Sequence, residues 1–314
     1  MSKKMFLFSG QGSQYVGMAK ELCERYPAAD AVFTLAGEIL GTDIRGIAFE
    51  GSAEELGRTV NSQPAIMACS LAAFEAARAE GIDFEGVAGH SLGEYAAMAA
   101  SGMLSYEDAF RLIKIRANAM NTCAENSEGA MYAIIGPEPA EIEAACEKTE
   151  GYVVAVNYNS PVQTVIAGES AAAQAAADLI KETSTAKRVK AVKLGVASAF
   201  HSEMMRPAAE EFAAKAKDFK FNKPACAFYS NVTGKELDLE NTDMIAQLAA
   251  HIVSPVKFTS ELYAAQEAGF DTFIELGPNK VLTGLVKKTL ADAKALNIEN
   301  NATLDAALEA LKAE

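Results

Sequence analysis

The sequence predicts an α/β protein in which a small second domain interrupts the first, and three observations carry that expectation. Short apolar runs alternate with longer helical patterns over the first part of the chain, as buried strands alternate with helices. From Gly129 the order changes to strand, helix, two strands, helix and strand over about 70 residues. The earlier alternation then resumes, so the large domain is expected to be discontinuous, 1–126 and 199–314, with 127–198 as the insert.

Taken in order, MFLF (5–8) reads as a short buried strand. Helical patterns fill 15–40 and 61–80, and VAG (87–89) ends a second strand. Helices follow at 92–100 and 105–124, the latter opened by Ser105 with Glu107 and Asp108 in its first turn, where the helix dipole favours negative charge. In the insert, MYAIIG is a strand and PEPAEIEAACEKT a helix with proline in its first turn. VVAVNYN and QTVIAG are strands joined through Ser160-Pro161, Ser170 caps an alanine-rich helix 171–182, and RVKAVKL alternates as a half-exposed strand. That βαββαβ order is the ferredoxin-like arrangement. Beyond it lie a helix near 207–218, a strand at 226–230, helices at 242–250 and 256–268, a strand at 270–275 and a helix led by Gly277.

The 314 residues, half of them hydrophobic, suffice for a large core. The formal charge of −14 opposes non-specific attraction to nucleic acid or anionic lipid. The five cysteines, Cys23, Cys69, Cys123, Cys146 and Cys226, form no CxxC pair and have no histidine at ligand spacing; they read as core filler in a reducing compartment, with one reactive thiol as the alternative, and no metal site is expected. The N-terminal apolar run stops after four residues, short of the roughly 7–15 of a signal peptide, and no run approaches the ~20 that span a bilayer. A cytoplasmic protein is expected.

Chemistry enters with GHSLGEY (89–95). Gly-x-Ser-x-Gly on a strand-to-helix turn needs residues without bulk on both sides of a strained serine, which exposes the hydroxyl near free helix amides. The bland reading is a tight turn; the strand before and the alanine-rich helix after favour a nucleophilic Ser91. A serine needs a base. His90 is adjacent and diverges on such a turn, leaving it a pocket-lining or structural role. Of the other two histidines, His201 stands where the insert returns to the large domain and is preferred over His251, which ends a helical stretch.

FSGQGSQ, QPAI (63–66), GHSLGEY, an arginine at 116, NYNSPVQTVIAG (157–168), AFHSEMM around His201 and ELGPNKVLTGL occur in the same order as in malonyl-CoA:acyl carrier protein transacylases, and the resemblance covers almost the whole chain. It implies an α/β-hydrolase-like core with a ferredoxin-like subdomain, Ser91 as the acylated nucleophile and His201 as its base. By the same resemblance, the N–H groups of Gln11 and Leu92 form the oxyanion hole, approached closely through Gly10 and Gly12. Arg116 pairs with the malonyl carboxylate in a bidentate geometry that lysine does not reproduce; the bland alternative is a solvated charge. Phe200 crowds a methyl branch. Gln63 belongs to a pocket motif, or is a buried amide satisfying backbone groups. Asn157 and Asn159 resemble substrate-side positions, which turn chemistry alone would also select.

Two departures from the family pattern are visible. Ser9 replaces a usual proline and is expected to loosen its loop without removing the N–H groups. His251 replaces a usual glutamine; its main-chain carbonyl remains to accept from the base, while a second imidazole is expected to alter the side-chain hydrogen bonding and the titration of His201. The carrier protein of this family's pathway is acidic, and Lys187, Arg188, Lys190 and Lys193 fall on one segment near His201 as a docking face or merely the wet side of a strand. The implied substrates are malonyl-CoA and acyl carrier protein, with no cofactor, and a monomer is expected. The rivals are a serine esterase or thioesterase using the same Ser91 and His201, an excised polyketide acyltransferase, disfavoured by apparently complete ends without a linker, and a non-catalytic carrier-binding protein. A buried Arg116 argues against a hydrolase of neutral acyl chains.

Overall fold

Alternate side chains of the first strand are buried on opposite sides: Phe6 and Phe8 join one apolar cluster, where both rings meet Phe74, while Met5 and Leu7 join another with Phe270 and Phe273. A strand apolar on both faces belongs inside a parallel sheet covered by helices on each side. The computed structural model describes residues 2–196 and 198–312. Its strands are β1 (Lys4–Phe8), β2 (Gly86–Gly89), β3 (Gly129–Ile135), β4 (Val153–Ser160), β5 (Gln163–Glu169), β6 (Lys190–Lys193), β7 (Ala227–Ser230), β8 (Lys235–Glu236), β9 (Thr272–Leu276) and β10 (Lys294–Ile298).

Six of them form one sheet in the order β10-β9-β1-β2-β7-β8, parallel except for the β7–β8 edge hairpin. The other four form a wholly antiparallel sheet, β4-β5-β3-β6, with a third apolar cluster between it and the helices Pro139–Lys148 and Ser170–Thr183. The chain is thus an α/β protein with a mixed, parallel-rich main sheet. Loops that follow the carboxyl ends of β1, β2, β7 and β9 converge at one end of that sheet, the end where open α/β sheets bind ligands.

Several expectations are corrected. Ser170 is the first residue of its helix, not the cap; Glu169 holds the cap position without a side-chain hydrogen bond. The helix expected from Gly277 starts at Val281, because Gly277 (φ 129°) and Asn279 (φ 68°) turn the chain first. Two short helices, Ile44–Phe49 and Ala53–Gly57, and the closing pair β10 and Asn301–Lys312 were not foreseen. Ser105 does cap Tyr106–Glu125, accepting from the N–H of Asp108. Among the described residues no helix is long and apolar enough to cross a membrane.

Candidate active site

β2 ends at Gly89 and the helix Gly93–Ala100 begins four residues later, so the turn between them is tight. Ser91 at its apex has φ 55°, a left-handed conformation that a non-glycine residue adopts only when its surroundings hold it there. The flanking glycines are a steric necessity: a Cβ on Gly89 would stand 2.1 Å from the backbone carbon of Gly93, and one on Gly93 2.1 Å from the carbonyl oxygen of Phe8.

His201, also left-handed at φ 63°, reaches this turn from 110 residues away. Its Nε2 is 2.7 Å from Ser91 Oγ, and its Nδ1 is 2.9 Å from the carbonyl oxygen of His251. A carbonyl only accepts, so the ring proton sits on Nδ1 and Nε2 is left as the acceptor facing the hydroxyl. The imidazole is 4% exposed; burial first, then the Arg116 charge, lower its pKa to about 3, and the ring is neutral near pH 7. The His251 ring stands 5.3 Å from that of His201, centre to centre.

Arg116 lies on the helix Tyr106–Glu125 and is 1% exposed, far from the solvated alternative. Nη2 donates to Ser91 Oγ at 3.0 Å and Nη1 to Oε1 of Gln63 at 2.7 Å, while the guanidinium carbon lies 5.5 Å from the ring centre of Tyr95. Nε has no hydrogen-bond partner among the described residues, a buried donor that an anionic group would satisfy. Gln63, on Thr59–Ala79, serves this guanidinium and not the backbone: its amide nitrogen turns to Met120 Sδ at 3.5 Å.

A hollow of about 290 Å³ opens in front of Ser91, lined among others by Gln11, His90, Asn157, Phe200 and His201. Arg116 does not itself line it and meets it at the serine. A second hollow of about 200 Å³ shares Gln11, Gly12, His90 and Asn157, and adds Asn159. His90 Nε2 pairs with Asn159 Oδ1 at 2.8 Å and its ring packs edge-on against Phe258, so His90 is both wall and support, away from the hydroxyl. A larger hollow of about 820 Å³, beside Phe221, Cys226 and Leu239, contains none of these residues.

Leu92 is buried just before Gly93–Ala100, whose first amides, those of Gly93, Glu94 and Tyr95, bond back to the carbonyls of His90, Ser91 and Leu92 and so are already engaged. The Gln11 loop is pressed onto the nucleophile turn: a Cβ on Gly10 would be 2.7 Å from the carbonyl oxygen of His90, and Gly12 has φ 97°. Ser9 does not loosen this loop. It is fully buried, its hydroxyl donates to Glu275 Oε1 at 3.2 Å and its N–H points to Leu276 O at 3.5 Å, contacts a proline lacks.

Lys187, Arg188, Lys190 and Lys193 are all exposed, but they do not form one strand face: β6 begins only at Lys190, and Lys190 and Lys193, three apart, point to opposite sides. The chain running on from β6 does reach the hollow, at Leu194 and Gly195. Cys23, Cys69, Cys123 and Cys146 are buried, and burial raises the pKa of all five thiols, to about 12 at Cys23 and Cys146 and about 11 at Cys226, against the reactive-thiol alternative.

Sequence reasoning missed a buried polar group beneath the turn: Glu94, Asn231 and Glu261, with the side chain of His251. Glu94 stands in GHSLGEY itself, where an acid in a first helical turn looks like ordinary dipole chemistry.

Comparison with known proteins agrees with this geometry. Residues 5–306 match the family model described as acyl transferase domain. A malonyl CoA-acyl carrier protein transacylase of Bacillus subtilis is 40% identical over 317 residues, covering 100% of this chain and 99% of the relative. The solved malonyl CoA-acyl carrier protein transacylase of Clostridium perfringens is 36% identical with a TM-score of 0.93, over 99% of this chain and 98% of that one. A malonyl-transacylase solved in complex with its type II polyketide acyl carrier protein is 34% identical with a TM-score of 0.93, over 98% and 100%. With that coverage and a serine, histidine and arginine meeting at one turn, the chain belongs to the acyl transferase domain family.

Proposed function

We propose that this enzyme transfers the malonyl group of malonyl-CoA to the phosphopantetheine thiol of acyl carrier protein, supplying malonyl carrier for fatty acid synthesis. The observation that carries the reading is the meeting of His201 Nε2 and Arg116 Nη2 at one atom, Ser91 Oγ.

In the first displacement His201 Nε2 takes the hydroxyl proton as Oγ attacks the thioester carbonyl. The N–H groups of Gln11 and Leu92 receive the oxyanion, where a donor is worth roughly 10²–10³ in rate. Collapse breaks the carbon–sulfur bond, and the thiolate of coenzyme A leaves with the proton from His201, giving malonyl-Ser91. In the second, His201 deprotonates the carrier's thiol, whose sulfur attacks the ester, and the proton returns to Ser91 Oγ. The His251 carbonyl keeps the ring oriented, in the place of an acid. No cofactor is needed: the acyl thioester is a substrate.

Arg116 holds the malonyl carboxylate, with Gln63 fixing the guanidinium. Phe200 disfavours a methyl branch, while His90, Asn157 and Asn159 line the approach. Lys187, Arg188, Lys190 and Lys193 meet the acidic carrier, as a cluster at the mouth and not a single face. The domain division follows the same reading: 1–126 and 199–314 as an α/β-hydrolase-like catalytic domain, and 127–198 as a ferredoxin-like insert, supported by its βαββαβ order. The protein acts as a monomer in the cytoplasm.

The test is a partition experiment. With malonyl-CoA and holo acyl carrier protein, malonyl carrier should form with little free malonate. Malonate as the main product, with carrier unmodified, would favour the thioesterase instead.

A further inference from the structure

We infer that Asn231 is a positioning residue for the transfer: one buried carboxamide fixes both the backbone of the nucleophile turn and the residue whose carbonyl aims the base. Asn231 directly follows β7, and β7 pairs with β2, so its side chain arrives under the turn that β2 enters. It is fully buried. Its Oδ1 accepts from the N–H of Ser91 at 2.7 Å, and its Nδ2 donates to the carbonyl of Gly89 at 2.7 Å. The amide therefore spans the turn two residues apart, holding Ser91 in a conformation that costs free energy.

The same Oδ1 lies 3.1 Å from Nε2 of His251. An amide oxygen only accepts, so that ring nitrogen carries the proton and donates. His251 is the residue whose main-chain carbonyl accepts from His201 Nδ1. One oxygen atom thus ties the nucleophile's backbone to the support of its base. The carboxamide cannot flip, because Nδ2 is also held by both oxygens of Glu261, at 3.0 and 2.9 Å. The Asn231 main chain is pinned as well: its N–H donates to Glu94 Oε1 at 2.5 Å and its carbonyl accepts from the N–H of Lys257 at 2.9 Å. Glu94 closes the circle, its Oε2 lying 3.2 Å from His251 Nδ1 as a close polar contact.

The test rests on the transfer reading and separates from it, because failure of that reading shows as malonyl transfer surviving Ser91→Ala, whatever Asn231 does. Asn231→Ala should slow malonyl loading of the enzyme about 10²-fold in rapid-quench experiments, the scale of a misplaced reacting group. KM for malonyl-CoA should stay within about threefold, since Arg116 and Gln63 are untouched. Folding is checked by near-ultraviolet circular dichroism. In a His201→Ala background the same change should cost less than about twofold, because the alignment it protects is already lost. An equal factor in both backgrounds, or a loss confined to KM, overturns the assignment. If Asn231→Ala does not fold, His251→Leu and His251→Gln decide: both keep the carbonyl, and only glutamine keeps a donor toward Oδ1. His251→Gln should load at least about tenfold faster than His251→Leu, and equal rates would overturn the proposal.

Discussion

Nη2 of Arg116 lies 3.0 Å from Oγ of Ser91, so the cation that would select the acyl group touches the atom that would attack it. Selection and chemistry are therefore one bond apart. Arg116→Ala removes one partner of a buried charge pair, a loss of about 3–5 kcal/mol or roughly 10²–10⁴ in kcat/KM for malonyl transfer. Acetyl transfer, with no carboxylate to hold, should fall by a far smaller factor. Arg116→Lys should not restore malonyl transfer, since an ammonium does not reach both Gln63 and a carboxylate as the planar fork does. Equal losses for malonyl and acetyl substrates in initial-rate assays would remove the selecting role.

Burial and the Arg116 charge hold the pKa of His201 near 3, so the neutral, basic form persists well below the usual histidine range. The base is lost only as pH falls through that lowered value. Loading rates of Ser91 by rapid quench should show no inflection near the ordinary histidine pKa of about 6.5. An acid limb with that midpoint, moved by substitution of His201, would contradict it.

Acid stability has a sign that can be worked out. His90, His201 and His251 have pKa values lowered by burial, so they stabilise the fold above about 6.5, the unfolded value. That contribution is lost as pH falls toward their folded values. Glu94, raised by burial to about 7, and Glu261 and Glu275, also raised by burial, act oppositely: their stabilisation is complete below the unfolded carboxyl pKa and lost as pH rises through the folded one. Between roughly pH 6.5 and 4.5 the two sets act in opposite directions and offset in part, and below that His201, with its folded value near 3, continues to lose stability at up to about 1.4 kcal/mol per pH unit. Urea midpoints should fall less steeply with pH over the first interval than below it. A steep fall already between pH 6.5 and 5.5 would contradict the offset.

The turn itself predicts a packing result. A methyl group on Gly93 would meet the Phe8 carbonyl at 2.1 Å, and backbone cannot swing aside as a side chain can. Gly93→Ala should cost about 1–3 kcal/mol or more in urea unfolding and slow Ser91 loading. A Gly93→Ala protein of unchanged stability would show that the turn is looser than described.

How much of this was legible follows from how local each signal is. GHSLGEY announces its turn because Gly89, Ser91 and Gly93 solve a local steric problem within five residues. Strands β1 and β2 carry short apolar runs and β9 is apolar but for Thr272 and Glu275, so all three read directly, whereas β10, half-buried except at Ile298, has no clear alternation. Tyr106–Glu125 was legible from its serine cap, while the register that carries Arg116 to Ser91 came only with the family resemblance. Asn231 was invisible for a physical reason: its partners Ser91 and Glu94 lie 140 and 137 residues away, and an asparagine after a strand looks like turn chemistry. Ser9 was misjudged because its partner, Glu275, is 266 residues distant.

The most direct measurement is the intact mass of the protein after brief exposure to malonyl-CoA without carrier. One malonyl adduct is expected, mapped by peptide fragmentation to Ser91, discharged by holo acyl carrier protein and missing from Ser91→Ala. An adduct that persists in Ser91→Ala, or maps to another residue, would contradict it.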